Sequence, residues 1–271
     1  FASAQAAVCY GRMGVSVQAY GTVCQWAIQC LNALTGNLDK TGGALFTKPA
    51  LDLVENPTSK PGHFNKWQSR IRQLPEFSGE LPVATLADEI LTEGDGQIRA
   101  LITACGNPIL STPNGQQLDK ALTQLDFMVS IDFYINATTR HADIILPPTC
   151  TLEHDHYDLI FNHFAVHNTA KYTPVLFPKP DEARHDWEIY HELGKRLAVA
   201  LNTTPPMPMR PDQIVDMGLR IGPYSKTHQM SLDLLKQHPH GVDLGANEPS
   251  LPQRLQTANK RINLAIPEIL H

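Results

Sequence analysis

The alternation of apolar and polar residues in the middle of the chain predicts the centre of the fold. Two apolar runs of strand length, 98–105 and 127–131, are each followed by a polar turn. Between them, residues 116–125 carry apolar side chains at helical spacing, and a strand, helix and strand joined this closely are typical of a right-handed βαβ unit. A third apolar run, 142–146, ends at Pro147, which cannot continue a strand ladder. The pattern therefore predicts an α/β fold with a mostly parallel sheet.

The same spacing predicts the elements around this centre. Residues 4–10 are small and apolar and predict a strand. The predicted helices cover 23–34, 81–93, 181–201, 214–221 and 231–237. The apolar face expected to be buried on the first of these helices consists of Val23, Ala27, Ile28, Leu31 and Leu34. On the 181–201 helix, the face expected to be buried consists of Trp187, Ile189, Tyr190, Leu193, Leu197 and Ala200.

Proline-rich stretches predict long loops in this α/β fold. Residues 47–80 are expected to make a loop excursion over the surface, with one helical turn near 67–72. Residues 161–169 alternate enough to predict an edge strand, and residues 239–271 have little regular pattern. We therefore expect one three-layer, Rossmann-like α/β domain over 1–238 and an extended C-terminal tail over 239–271.

Composition narrows the classes of protein to which the chain could belong. Of 271 residues, 42% are hydrophobic, which is typical of a globular core, and the net charge of −5 gives no electrostatic case for nucleic acid. No apolar run is long enough for a transmembrane span. The five cysteines contain no Cys-x-x-Cys pair, so we expect free thiols, with Cys9 and Cys105 buried in strands. The chain opens at Phe1 without an initiator Met, which we interpret as an excised fragment.

Polar residues follow two of the predicted strands at the edge where α/β proteins bind ligands. Gly106 and Asn107 follow the first strand and Asp132 follows the second. Their donors and acceptors suit ribose hydroxyls or a purine edge, but a plain turn and a helix cap explain them equally well. His154 and His156 alternate with acids and raise a metal site as one hypothesis, with a solvated loop as the other.

Several of these segments occur together in an order that resembles one family. The segments are Tyr10-Gly-Arg-Met-Gly14 with Gln18 and Gly21-Thr22, Leu34-Thr-Gly-Asn-Leu-Asp-Lys-Thr-Gly-Gly43, Gly106-Asn-Pro108, Asp132 with Thr138, Ala142-Asp-Ile-Ile-Leu-Pro147, Glu153 and Asp186-Trp187. This series resembles the third domain of the molybdopterin oxidoreductases, the group that includes dimethyl sulfoxide reductase, formate dehydrogenase and nitrate reductase. The resemblance covers nearly the whole chain but only part of such an enzyme.

The resemblance implies a cofactor-binding role without catalytic or metal-ligating residues of its own. By this likeness the domain helps to hold a bis(molybdopterin guanine dinucleotide) cofactor with molybdenum or tungsten. The implied cofactor contacts are Met13, Val17, Gln18, Asn107, Ile131, Asp132, His154 and Asp186. His154 stands where relatives often carry Lys, and Asp186 matches an Asp that reaches the guanine. As the first acid of a helix, Asp186 is also explained locally by the helix dipole.

The resemblance also implies what lies elsewhere in the enzyme. A [4Fe-4S] motif, the metal-ligating residue and a C-terminal β-barrel are expected in other domains of the same polypeptide, so we expect this chain alone to be inactive. An electron-transfer subunit is a further expected partner. We expect a cytoplasmic enzyme, or a periplasmic one if the full protein carries a twin-arginine signal.

Two alternatives from other classes stay open at this stage. A stand-alone nucleotide-binding protein predicts a Gly-x-Gly-x-x-Gly turn after the first strand, which Gly11-Arg-Met-Gly14 does not supply. A catalytically silent interaction module of the same fold is the other alternative. Titration with a guanine nucleotide separates this module from a cofactor-binding domain.

Overall fold

The computed structural model describes residues 1–55, 60 and 62–270, and these divide into two compact units. The first unit comprises Phe1–Ser59, His156–Thr173 and Arg210–His271, and the second comprises Lys60–Asp155 and Pro174–Met209. Part of the predicted loop excursion, residues 56–59 and 61, and the last residue of the predicted tail lie outside the described residues.

Helices and strands alternate along the described chain. The helices are α1 Met13–Ser16, α2 Gly21–Leu34, α3 Leu86–Leu91, α4 Pro108–Ser111, α5 Gly115–Leu122, α6 Asp186–Ala200, α7 Pro211–Ile221, α8 Leu232–Gln237 and α9 Pro267–Leu270. The strands are β1 Phe64–Gln68, β2 Pro75–Phe77, β3 Ala100–Ala104, β4 Phe127–Ile131, β5 Ile144–Ile145, β6 His156–Tyr157, β7 His167–Ala170, β8 Tyr172–Thr173 and β9 Val242–Ala246. Three-residue to four-residue 3-10 helices occur at Val83–Thr85, Thr139–His141 and Phe161–Phe164.

The second unit contains a parallel sheet in the order β3-β4-β5. Strands β3 and β4 run in register from Ala100 opposite Phe127 to Ala104 opposite Ile131. Helix α5 provides the crossover and buries Leu118 and other apolar side chains against β4 and α3. The sequence-based prediction of an α/β fold with a parallel sheet is confirmed. The three apolar runs form its strands, with β4 between β3 and β5.

The helical turn expected near residue 70 is replaced by a β-hairpin, so that prediction is wrong. Strands β1 and β2 pair in antiparallel fashion, and Ser69 closes the turn by donating its N–H to Leu74 O at 2.9 Å. Gln73 has a positive φ of 53°, a conformation that belongs to a turn and ends any helix there. The buried carboxylate of Glu76, on β2 itself, accepts from Lys66 N of β1 and from Gly79 N, and these bonds hold the hairpin together.

In the first unit, residues 4–10 form no strand, contrary to the prediction. The side-chain amide of Asn32 instead holds this extended segment by accepting from Cys9 N at 2.9 Å and donating to Cys9 O at 2.8 Å. Helix α2 is confirmed with nearly the predicted bounds, but its expected apolar face is not buried. Leu34 is 77% exposed, whereas Gly21 and Asn32 are the residues of α2 that are buried.

The core of the first unit is built by helices and short strands from its later segments. Leu219 of α7 and Leu235 of α8 are fully buried there, together with Met230. Helices α7 and α8 confirm the predictions over 214–221 and 231–237. The predicted strand over 161–169 divides into a 3-10 helix and β7, and β7 pairs with β9. Strand β9 therefore gives regular structure to part of the 239–271 segment.

Helix α6 begins five residues later than the pattern indicated. It starts at Asp186, where the Glu188 carboxylate accepts from His185 N at 2.8 Å and Glu188 N donates to His185 O at 2.9 Å. Its expected buried face is only partly formed. Ile189 and Ala198 are buried, but Tyr190, Leu197 and Ala200 are exposed.

Within the described ranges, none of the nine helices combines the length and the apolar character needed to cross a membrane.

Candidate functional site

The carboxyl ends of β3 and β4 lie side by side in the second unit. Cys105 follows β3, and its N–H donates to the carbonyl of Ile131 at the end of β4 at 3.0 Å. Cys105 and Gly106 both have positive φ, 55° and 82°, so the chain turns away sharply from the sheet. Apart from Gly106 and its two chain neighbours, the part of the chain that the structure describes has no heavy atom within 4 Å of the point where a Cβ on Gly106 would sit. This edge of the sheet is therefore open beside the strand ends.

A buried polar network joins the turn after β3 to the turn after β4. The hydroxyl of Thr138 donates to Asn107 Oδ1 at 2.7 Å and accepts from Ile109 N at 3.0 Å. Asn136 accepts from the backbone of Thr138 at 2.9 Å, and its amide nitrogen lies 3.5 Å from Gly106 O. Thr138 is completely buried. The network fixes the Asn107 side chain so that its amide nitrogen, which donates to no described residue, faces away from Thr138.

Asp132 lies directly after β4, at the same edge. Its Oδ1 accepts from Tyr134 N at 3.0 Å, and its Oδ2 accepts from the Asn136 amide at 3.4 Å. Only 9% of the residue is exposed. Each carboxylate oxygen has two lone pairs, so these two bonds leave acceptor capacity on both oxygens.

Two acids act electrostatically on the Cys105 thiol at this edge. Burial raises the pKa of the Cys105 thiol, and the negative charges of Asp186 and Asp132 raise it further. Burial, Cys105 and Asp186 in turn raise the pKa of Tyr190. Two carboxylates from distant segments thus act on one thiol. The prediction that Cys105 is buried is wrong, because the positive φ turns the residue out of the strand.

The start of α6 brings aromatic rings beside Asp186. The His185 Nδ1 atom and the Thr149 hydroxyl are 2.7 Å apart, which ties the 148–154 segment to the helix start. The His154 ring lies edge-on to the His185 ring with centroids 6.4 Å apart. The Trp187 ring stacks on the other side at 6.3 Å. The Asp186 carboxylate accepts no hydrogen bond from the described residues and is therefore available to a ligand.

The predicted contacts in the first unit form a separate group. Met13 begins α1 and Val17 follows it, with 71% and 72% of their surface exposed. Gln18 accepts from Tyr20 N at 2.9 Å and donates to Val15 O at 3.2 Å, so it closes the turn before α2. The convergence of these three residues with Asn107 and Asp132 stays a prediction.

The second unit brings together three of its five predicted site residues. Asn107 lies in the turn after β3, and Asp132 and Asp186 both act on Cys105 at the end of that strand. The His154 ring packs edge-on against His185, the residue before Asp186. Ile131 is different, because its side chain is completely buried in the core and its carbonyl is bonded to Cys105.

Sequence reasoning gave no positioning role to the residues that hold this site, although Thr138 belongs to the series of segments that carries the family resemblance. Asn136, Thr138 and Thr139 form side-chain turns with the backbone, and the run Asn-Ala-Thr-Thr after an acid was the available signal. His185 carried no pattern that distinguished it from a helix cap.

The structure does not support the metal site suggested by His154 and His156. Across residues 1–55, 60 and 62–270, no three His, Cys, Asp or Glu side chains form a group that could hold a metal ion. His154 Nδ1 instead lies 2.9 Å from Asp155 O, and His156 is part of β6.

Comparison with known proteins gives a consistent result. The family model described as "Molybdopterin oxidoreductase" matches residues 2–196. A probable oxidoreductase of Bacillus subtilis is 30% identical over 191 residues, which is 68% of this chain and 26% of that protein. The assimilatory nitrate reductase catalytic subunit of the same organism is 38% identical over 103 residues, covering 38% of this chain and 14% of the subunit.

More distant relatives extend the comparison. The F420-dependent formate dehydrogenase subunit alpha of Methanocaldococcus jannaschii is 29% identical over 68% of this chain and 28% of that subunit. Acetylene hydratase from Pelobacter acetylenicus superposes with a TM-score of 0.49 at 17% identity, over 65% of this chain and 22% of that chain. The chain thus spans about a quarter of the length of most of these relatives. The family match over residues 2–196 shows that the chain belongs to the molybdopterin oxidoreductases, which are enzymes.

Proposed function

We propose that the carboxyl edge of the parallel sheet in the second unit binds the guanine nucleotide end of a bis(molybdopterin guanine dinucleotide) cofactor. The observation that carries the proposal is the pair of carboxylates, Asp132 and Asp186, that act together on Cys105 at an open strand end. We define the "acidic edge" as Cys105, Asn107, Asp132 and Asp186.

The acidic edge fits the hydrogen-bonding groups of guanine. Guanine presents N1–H and N2–H₂ as adjacent donors, and carboxylates accept such a pair with charge-assisted bonds. The Asp186 carboxylate has no described hydrogen-bond donor to lose, so a ligand that donates to it replaces only water. Adenine offers an acceptor at N1 where guanine offers a donor, so the two acids favour guanine.

Asn107 adds a donor to the same edge. Because Thr138 occupies its Oδ1, the amide nitrogen is directed toward solvent and offers two N–H groups to a ribose or phosphate oxygen. The absence of any atom near the missing Cβ of Gly106 leaves room for a ligand to approach the backbone closely. We also propose that Met13, Val17, Gln18 and His154 contact the cofactor, whereas Ile131, which is buried in the core, positions Asp132 at the end of β4.

The rest of the enzyme is proposed from family membership. The bound molybdenum or tungsten supplies two-electron redox or oxygen-atom transfer, and the chain's own residues hold and orient the cofactor. We propose residues 1–238 as the cofactor-binding domain and 239–271 as the link to a further domain of the same polypeptide. A [4Fe-4S] cluster outside this chain and an electron-transfer subunit complete the proposal, and the chain alone is inactive.

The test is a titration of the full chain with GDP, followed by calorimetry and by alkylation of Cys105. We expect GDP to slow alkylation of Cys105, located by peptide mass mapping, while Cys150 reacts at an unchanged rate. Asp186→Asn weakens GDP binding, whereas Asp181→Asn, an exposed acid five residues earlier, leaves it unchanged.

The alternatives give different outcomes in this titration. Equal binding of ADP and GDP points to a general nucleotide-binding protein, and no binding of either at millimolar concentration points to an interaction module. Either outcome contradicts the proposal.

A further inference from the structure

A stretch of the second unit carries positive charge in a chain whose net charge is negative. From residue 60 to residue 75 the sequence contains no Asp or Glu, whereas the whole chain has a net charge of −5. The basic residues of this stretch are Lys60, His63, Lys66, Arg70 and Arg72. In the structure His63, Arg70 and Arg72 each pair with an acid, so the basic residues of this stretch without an acid partner among the described residues are Lys60 and Lys66.

The hairpin is held firmly to the second unit by two carboxylates. Glu76 is completely buried, accepts from Lys66 N at 2.8 Å and from Gly79 N at 3.1 Å, and pairs with His63. At the turn, Glu89 of α3 accepts from Ile71 N at 2.9 Å.

Arg70 strengthens this attachment. Its guanidinium lies 3.3 Å from the Glu89 carboxylate and donates to Thr92 O at 2.6 Å, at the carboxyl end of α3. The hairpin therefore presents its outer surface on a rigid support rather than as a flexible loop.

Exposed aromatic rings lie along the hairpin, and two lysines of the same stretch have no acid partner among the described residues. All five residues of β1 are exposed, and Phe64, Trp67 and Phe77 have 49%, 47% and 65% of their surface open. Lys60 and Lys66 contact no acid among the described residues, whereas Arg72 lies 4.0 Å from Asp88. We call Lys60, Phe64, Lys66, Trp67 and Phe77 the hairpin patch.

Aromatic side chains on a rigid element are the residues that contribute most energy to protein interfaces. A large ring that is already ordered loses little conformational entropy when it is buried, and nearby lysines orient a partner of opposite charge. We propose that the hairpin patch is a docking surface for a carboxylate-rich segment of a partner protein. The acids of the partner pair with Lys60 and Lys66, and its apolar side chains cover Trp67 and Phe77.

Charge density and backbone conformation favour this partner over two others. Nucleic acid binding needs many basic contacts, and the hairpin patch offers two lysines in a chain of net charge −5. Addition of a partner strand to the β1 edge needs a regular ladder. Asn65 has a φ of 55° and the β1-β2 register shifts within β1, so recognition proceeds through side chains.

The probe for this proposal is a fluorescein-labelled ten-residue peptide of alternating Glu and Leu, with a Lys-Leu peptide and a ten-nucleotide oligothymidine as comparisons. We expect fluorescence anisotropy with the full chain to detect binding of the Glu-Leu peptide that weakens with salt. A water-soluble carbodiimide should link peptide carboxylates to Lys60 and Lys66, as read by mass spectrometry.

Matched variants separate the hairpin patch from general surface charge. We expect Lys66→Glu and Trp67→Ala each to weaken binding of the Glu-Leu peptide about tenfold. The controls are Lys226→Glu, at an exposed lysine of the first unit, and Phe161→Ala, at an exposed ring, and each should change the affinity less than about twofold. Lys66→Glu alters an exposed side chain, so it tests the surface even where Trp67→Ala disturbs the hairpin.

Three results overturn the proposal. The first is binding of the Lys-Leu peptide or the oligothymidine as tight as that of the Glu-Leu peptide. The second is an equal loss of affinity in Lys66→Glu and Lys226→Glu. The third is carbodiimide linkage spread evenly over the lysines of the chain.

Discussion

Thr138 donates its hydroxyl to Asn107 Oδ1 at 2.7 Å, and this one bond joins the turns that follow β3 and β4. The same hydroxyl oxygen accepts the N–H of Ile109 at 3.0 Å. The buried Thr138 side chain therefore bonds both the backbone of Ile109 and the side chain of Asn107. The bond decides which end of the Asn107 amide is presented to a ligand. Without it, the oxygen and nitrogen are free to exchange places.

Thr138→Val is expected to loosen this edge. Valine keeps the shape of threonine but leaves Ile109 N–H and Asn107 Oδ1 without their buried partner, at a cost of about 1–3 kcal/mol. Hydrogen exchange of peptides covering residues 105–112, measured by mass spectrometry, should become faster. Thr123→Val removes an exposed hydroxyl that bonds Lys120 O and should leave exchange in this region unchanged. Unchanged exchange in Thr138→Val contradicts the role given to the bond.

Asp186→Asn is expected to make Cys105 more reactive. Burial raises the pKa of the Cys105 thiol, and the carboxylates of Asp186 and Asp132 raise it further because they disfavour a nearby thiolate. Removing one negative charge lowers that pKa, and the larger thiolate fraction at pH 8 should speed alkylation about two- to fivefold. The rate is read from mass mapping of the Cys105 peptide. Asp181→Asn is the control, and an equal rate in both variants argues against an acidic edge.

Glu76 is expected to make the hairpin sensitive to acid. Burial raises the pKa of this carboxyl, but hydrogen bonds from Lys66 N and Gly79 N and the charge of His63 lower it to below its ordinary value of 4.5. A depressed folded-state pKa stabilises the hairpin fully above pH 4.5, and the stabilisation is lost as the pH falls through the folded value.

Trp67 fluorescence against pH measures this effect. We expect Glu76→Gln to weaken the hairpin at neutral pH and to remove the acid transition, whereas Glu80→Gln, at an exposed position, keeps it. An acid transition that persists unchanged in Glu76→Gln assigns it to another group.

Asn32→Leu is expected to release the start of the chain. The amide of Asn32 is 2% exposed and makes both of its bonds to the backbone of Cys9, so leucine leaves a buried N–H and C=O unpaired. The cost is about 2–4 kcal/mol for the two groups together, and exchange of peptides covering residues 4–12 should rise. Gln29→Leu, on an exposed position of the same helix, serves as the control. Equal protection of residues 4–12 in both variants means that the amide does not hold this segment.

The accuracy of sequence reasoning differs between the two units for a physical reason. The βαβ unit around Ile131 was predictable because its apolar runs are local, and each strand needs only its neighbour to be buried. The exposed face of α2 was not predictable, because Leu34 has the spacing of a core residue but is left uncovered by the described residues. The hairpin was missed because its stability comes from Glu76 and Glu89, acids that a pattern assigns to the surface.

The order of residues along the chain by itself determined the parallel sheet, the bounds of α2, α7 and α8, and the family resemblance, because periodicity and motif order are properties of consecutive residues. Only the tertiary structure decided that Asp186 acts on the same thiol as Asp132 and that Cys105 is exposed to solvent. It also decided that the Asn32 amide hydrogen-bonds the backbone of Cys9. These relations join residues 23 to 81 positions apart. They depend on how distant segments pack, which the spacing of apolar residues within one segment does not encode.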